Sequence, residues 1–156
     1  MHYRHEINYD RFDGIHELSE MDQKLVVNAR QAMAQAYAPY SKFKVGAAVL
    51  LTDGTIIKGN NQENIAYPSG LCAERVALFY AGANHPNIEV ESIVIVTEGE
   101  LLKSSEIASP CGACRQVMLE SQRRQKNSYR VILVGQNGEV IVFHSVEDLL
   151  PFAFGS

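Results

Sequence analysis

A chain of 156 residues, 46% hydrophobic and 21% charged, is sized for one domain whose core needs no crosslinks. Its net charge of −4 argues against a nucleic-acid partner, because phosphates are bound by an excess of Lys and Arg. Three cysteines, an odd count, suit a reducing compartment better than a disulfide framework. The N-terminus has no secretory pattern and the longest apolar run, 45–51, is too short for a bilayer, so a cytoplasmic protein with no membrane partner is expected.

Residues 1–18 show no clear period and read as an N-terminal arm, which could add an edge strand or embrace a neighbouring subunit. His2 and His5 within it are better explained by an exposed terminus than by a metal site. Ser19 and Asp22 form a capping-box pattern. Leu25, Ala29, Ala32, Met33 and Ala36 then recur at helical spacing, predicting a helix over 20–37 that Pro39 ends. A strand follows over 43–51, a turn at 52–55 and a returning strand at 56–59. The polar stretch 60–70, with Pro and Gly, reads as a site loop rather than a linker.

A helix over 71–82, ended by Gly82, precedes a buried strand at 90–97 and a second helix at 111–124. Arg123, Arg124 and Lys126 at the end of that helix are accounted for by the helix dipole and solvation. Strands at 129–134 and 140–144 are joined around Asn137-Gly138, a type I′ hairpin signal, and a short helix closes at 146–150. No repeat or inter-domain linker appears, so 19–156 is read as a single domain. Its fold is expected to be α/β, a three-layer sandwich around one five-stranded mixed sheet.

All three cysteines stand at or near predicted helix starts: Cys72-Ala73-Glu74-Arg75, and Pro110-Cys111-Gly112-Ala113-Cys114-Arg115-Gln116. Free N–H groups and the positive dipole end favour thiolate there. Three thiolates from Cys72, Cys111 and Cys114 give a Zn²⁺ site, one ion per chain, with its fourth tetrahedral position open, as a catalytic zinc requires. A lone C-x-x-C would be weak evidence, equally read as redox, structural zinc or two buried thiols. Joined to Cys-Ala-Glu and a preceding Pro, it matches the zinc nucleobase-deaminase pattern, with Cys72 in place of a His. Glu74 lies close enough to serve as proton shuttle without being a ligand, and its carboxyl is expected to have a raised proton affinity. Three thiolates weaken the metal's Lewis acidity, so Arg75 and Arg115 are candidate donors that would withdraw charge from the sulfurs.

The run from Pro39 to Ala48 (Pro-Tyr-Ser-Lys-Phe-Lys-Val-Gly-Ala-Ala), then Asn61-Gln62-Glu63-Asn64, Tyr67-Pro68 and the two cysteine motifs together resemble the cytidine deaminases, in their small three-cysteine, homotetrameric form. The likeness runs from Pro39 to Phe154. It implies hydrolytic deamination of cytidine and deoxycytidine in pyrimidine salvage. By position it implies that Asn61 and Glu63 bind the ribose, Phe43 packs on the pyrimidine, and Ala73 and Glu74 hold the base edge. Tyr67 and Phe154 match positions used across a subunit boundary, which implies a homotetramer with shared sites. Gln62 and Ile65 depart from the family pattern, where an aliphatic and an alanine-like residue are expected. Two alternatives stand beside this reading: a deaminase of a cytosine-containing antibiotic of the blasticidin-S type, and a zinc-stabilised binding module without chemistry. Asn61, Glu63 and Arg75 favour the nucleoside enzyme over the first; three ligands and Glu74 favour it over the second, which would close zinc with four.

Overall fold

The central strands carry nearly unbroken apolar runs because helices cover both faces of the sheet, and each strand buries its alternate side chains in two different cores. In the computed structural model, which describes residues 1–155, Ala47, Val49, Ile93, Ile95, Val131 and Leu133 face one core. Ala48, Leu50, Val94, Val96, Ile132 and Val134 face the other. The elements in chain order are β1 (Tyr9–Phe12), α1 (Glu20–Ala34), β2 (Lys44–Leu51), β3 (Ile56–Asn60), α2 (Ala73–Asn84), β4 (Val90–Glu98), α3 (Gly112–Arg123), β5 (Arg130–Val134) and β6 (Val140–Phe143), with single 3₁₀ turns between some of them. Helix α1 packs on one face with Leu25, Val26 and Ala29; α2 and α3 lie side by side on the other with Ala77, Leu78, Met118 and Leu119. This is the expected three-layer α/β architecture.

The sheet has six strands, not five, in the order β1-β6-β5-β4-β2-β3, and only β4 and β5 run parallel. The additional strand comes from the N-terminal arm, where Tyr9 to Phe12 pair antiparallel with Phe143 to Val140. The pairing is reinforced by Arg11–Glu139 at 2.9 Å and His144–Asp10 at 2.8 Å, and by Tyr9 stacking on Phe143. An edge strand exposed on most of its surface needs no alternating pattern, which is why the arm showed none.

Several boundaries also differ. Helix α1 stops at Ala34, before Pro39, because the chain peels away so that the Tyr37 N–H can donate to Asn61 O and Tyr37 O can accept from Glu63 N–H. Helix α2 runs through Gly82 to Asn84, whose side chain donates to Tyr80 O. The closing helix is a 3₁₀ turn, Val146–Leu149. The Asn137-Gly138 hairpin is not type I′, since only Gly138 has positive φ. It is a three-residue loop closed by Gly135 N–H to Glu139 O, with the Asn137 side chain accepting from Glu139 N–H. The β2–β3 loop repeats the design with Asp53 and Gly54.

Ser19 caps α1 as expected, accepting from Asp22 N–H at 3.2 Å. Asp22 does more than close a box: its nearly buried carboxylate takes a two-pronged bond from Arg130 at 2.8 and 2.9 Å, tying α1 to β5. Asp22→Ala strands that half-exposed guanidinium and loses the partner of the cap hydroxyl, so a loss of about 3 kcal/mol is expected. Urea unfolding followed by circular dichroism checks this, and a change under about 0.5 kcal/mol would reduce the pair to a surface contact.

Candidate active site

Helices α2 and α3 begin beside one another, and their first turns carry the three thiols. Cys72 and Cys111 occupy the N-cap positions and Cys114 the first turn of α3. Neither N-cap side chain accepts from a backbone N–H of its own helix, so the first amides of both helices are left to favour negative charge on sulfur. Gly59 on β3 permits the close packing: a Cβ there would collide with the backbone of Ala73 and Ala77 in the first turns of α2.

The three sulfur atoms lie within 4.8 Å of one another, with Cys114 fully buried, Cys72 half-buried and Cys111 exposed, and no disulfide joins them. Three unpaired thiols converging from two helix N-termini fit a tetrahedral zinc with one side open. Arg75 Nη2 donates to Cys72 Sγ at 3.4 Å, and its buried Nε has no hydrogen-bond partner among the described residues. The Cys72 thiol is held down to about 5, chiefly by the hydrogen bond from Cys114 and then by Arg75, while the Cys114 thiol that donates is pushed up. Arg75 therefore stands where a cation drawing charge from a ligand sulfur was expected.

Arg115 stands elsewhere. Its guanidinium donates to Pro110 O at 2.8 Å, Leu149 O at 2.9 Å and Ser109 Oγ at 2.8 Å, and to no sulfur. Pointing back over the turn that precedes α3, it fixes the Ser109–Pro110 corner and ties it to the C-terminal segment.

Glu74, in the first turn of α2, is 5% exposed. Burial pushes its carboxyl above the usual carboxylate range, with the negative charge of Cys72 adding to the shift. The direction agrees with the proton affinity expected of a group that must both take and give a proton. Ala73 beside it is fully buried, backbone and side chain alike.

A cavity of about 430 Å³ opens next to Cys72 and Arg75, bounded by Tyr40, Asn61, Glu63 and Tyr67. Residues 61–63 run between Tyr37 on one side and Leu71 on the other, and Asn61, Gln62 and Glu63 all border the cavity. The Asn61 amide bridges the backbone across from it, accepting from Val45 N–H at 2.8 Å and donating to Phe43 O at 2.9 Å. One N–H and one lone pair of that amide remain for a ligand. Phe43 is half-buried at the head of β2. Tyr67 and Phe154 are 79% and 87% exposed, and Gln116 Nε2 donates to Phe154 O at 3.4 Å. Ile65, 81% exposed, meets no wall of this cavity, so its bulk is accommodated. A larger cavity of about 600 Å³ lies at the far, C-terminal ends of α2 and α3, and no thiol borders it.

Two further residues border the site. Tyr40 and Ser41 line the cavity, and their backbone N–H groups hold the Glu63 carboxylate at 2.9 and 3.2 Å. Their signal in the sequence was two polar residues immediately before an apolar strand and within reach of a polar loop.

Residues 19–140 match the family described as the cytidine and deoxycytidylate deaminase zinc-binding region. A cytidine deaminase of Sporosarcina psychrophila is 43% identical over 133 residues, spanning 85% of this chain and 90% of that relative. One from Halalkalibacterium halodurans is 42% identical over 132 residues, spanning 85% and 92%. Among solved structures, the cytidine deaminase of Burkholderia pseudomallei superposes with a TM-score of 0.73 at 41% identity, covering 88% of this chain and all of that one. With three thiols gathered as such a centre requires, Zn²⁺ is the cofactor, and the chain belongs to the cytidine and deoxycytidylate deaminase zinc-binding family.

Proposed function

We propose that this chain hydrolytically deaminates cytidine and deoxycytidine, releasing ammonia, with Cys72, Cys111 and Cys114 as ligands of one Zn²⁺. The observation that carries the reading is the convergence of three thiols within 4.8 Å beside a buried glutamate, on a chain 43% identical to a cytidine deaminase. When bound, zinc supplies Lewis acidity that lowers the pKa of a water towards about 7. The chain's own residues do the rest. Glu74 takes a proton from the attacking water and delivers it to N3 of the base. It then takes the remaining proton of the hydroxyl added at C4 and gives it to the amine, which departs as ammonia as the C4 carbonyl forms. Ala73 offers backbone to the base edge, Phe43 packs on the ring, and Asn61 and Glu63 bind the ribose. Arg75 offsets the charge of the thiolates through Cys72. Residues 19–156 form the catalytic domain in this reading, with β1 as an appended strand.

Ammonia release from cytidine, with zinc measured on the same preparation, tests the assignment: turnover should track zinc content, and a zinc-loaded protein inert on cytidine would overturn it. Glu63→Ala should raise KM for cytidine by about tenfold or more while leaving free cytosine, already a poor substrate, little changed. Equal losses on both would reduce Glu63 to loop structure. The antibiotic-deaminase alternative predicts instead faster turnover of a cytosine-containing antibiotic of the blasticidin-S type than of cytidine when the two are compared side by side.

The assembly we propose is a homotetramer whose sites are completed by Tyr67 and Phe154 of neighbours, in the cytoplasm, without membrane or nucleic-acid partners. Tyr67, Ile65, Phe152 and Phe154 are each at least 79% exposed, an apolar surface that a neighbour would cover. No helix among the described residues is long and apolar enough to cross a membrane. Truncation after Pro151 should lower the mass seen by light scattering and raise KM while zinc stays bound. A fully active monomer at assay concentration would remove the shared site.

A further inference from the structure

The Phe43 peptide is gripped on both sides by the residues proposed to bind the sugar. Its C=O accepts from Asn61 Nδ2 at 2.9 Å, and its N–H donates to Ser41 Oγ at 3.0 Å. The Ser41 hydroxyl in turn donates to Glu63 Oε1, while the N–H groups of Tyr40 and Ser41 donate to Oε2. A single hydroxyl thus accepts from the backbone of the base-packing residue and donates to the carboxylate of the sugar site, using its one proton and one of its lone pairs.

Between Ser41 and Phe43 lies Lys42, with φ of 56°, the one non-glycine residue in the left-handed region among those described. Left-handed backbone at a residue with a side chain is retained when its surroundings over-determine it. Here the constraints are the Ser41–Phe43 bond, the Lys42 N–H donating to Ala38 O at 3.2 Å, and Gly99. Any side chain at Gly99 would run into Lys42 O and the Phe43 ring. The turn is therefore rigid, and Ser41 is its polar contact to the site. Burial is the largest single influence on the Glu63 carboxyl and raises it, but the Ser41 hydroxyl, the two amides and the Lys42 charge together outweigh it and hold the group below the usual carboxylate range.

We propose that Ser41 is a positioning residue that locks the sugar-binding carboxylate of Glu63 and the base-packing ring of Phe43 into one geometry, so that ribose and pyrimidine are recognised as a unit. The proposal rests on the reading of Glu63 as a ribose ligand. Ser41 touches neither zinc nor the reacting carbon; it acts through Glu63 and Phe43. Losing its hydroxyl leaves Oε1 without its neutral donor and the Phe43 amide without an acceptor, so the cost falls on substrate grip rather than on proton transfer.

The test is steady-state kinetics on the zinc-loaded protein with Ser41→Ala, Ser41→Thr, Glu63→Ala and the double variant of Ala at both positions. Expected are a rise of about tenfold in cytidine KM for Ser41→Ala with kcat within about threefold, unchanged zinc content, and recovery to near wild type in Ser41→Thr, which keeps the hydroxyl. The double variant should lose less than the product of the two single losses, because one of the two contacts of the Ser41 hydroxyl runs through Glu63 and the other through Phe43. Wild-type KM in Ser41→Ala, failure of Thr to rescue, or multiplied losses in the double variant would overturn the proposal while leaving the Glu63 reading intact. A Glu63→Ala enzyme with unchanged cytidine KM would overturn both, and that outcome is distinguishable from the others.

Discussion

Glu74→Gln should retain zinc and fold but lose nearly all turnover. The amide is close to the carboxylate in shape, so the first turn of α2 and its packing beneath the thiols are preserved; what disappears is the ability to accept a proton. A positioned acid–base group is typically worth ~10²–10⁴-fold, and Glu74 is assigned two proton uptakes and two deliveries, so kcat should fall by ~10⁴-fold with cytidine KM little altered. Burial already biases the carboxyl towards holding a proton, so the substitution replaces a group tuned for exchange with one that cannot exchange at all. Single-turnover measurement with metal analysis is the check. A kcat within about tenfold of wild type would remove Glu74 from the proton path.

Cys114→Ala should bring zinc from about one ion per chain to near none, abolish activity and destabilise the fold. Cys114 is the fully buried member of the three, so no outside donor can replace it. The ion's contribution to stability follows from mass action: at a free zinc level a thousandfold above Kd, losing the ion removes about 4 kcal/mol. For a chain of this length that corresponds to a fall in Tm of about 10 °C. Wild-type protein stripped by a chelator should unfold at nearly the same temperature as the variant. A variant still holding a full zinc complement would strike Cys114 from the ligand set.

The features legible in the sequence were those whose cause is local. Helix starts at Cys72 and Cys111, the Ser19 cap and the apolar runs of β2, β4 and β5 follow from short-range pattern, and they suffice to bring the thiols and Glu74 together. What escaped depends on partners far along the chain. The early end of α1 is dictated by Tyr37 pairing with the 61–63 segment, and the two-pronged Asp22–Arg130 bond joins residues 108 apart. Arg115 follows a ligand directly, yet three acceptors of the loop and C-terminal segment claim its guanidinium, which spacing alone does not reveal. The three-residue hairpin at Asn137-Gly138 was missed because the same dipeptide serves two turn geometries, and the hydrogen bond across the loop decides between them.

The pairing of β1 with β6 sets an order on how the molecule assembles. Asp10 meets His144 across 134 residues, so that closure removes more chain freedom than any pairing inside the sheet and has nothing to close onto until β5 and β6 are in place. The strand nearest the start of the chain is thus the last to be laid down, and on unfolding the first to leave. Three exposed residues out of four, and solvent-facing contacts of Arg11 with Glu139 and of His144 with Asp10, give it a local opening free energy well below that of β4 and β5. Amide exchange in Tyr9–Phe12 should accordingly run ahead of the remaining sheet by orders of magnitude, while the ladder amides of β4 and β5 at its centre stay protected until the whole domain opens.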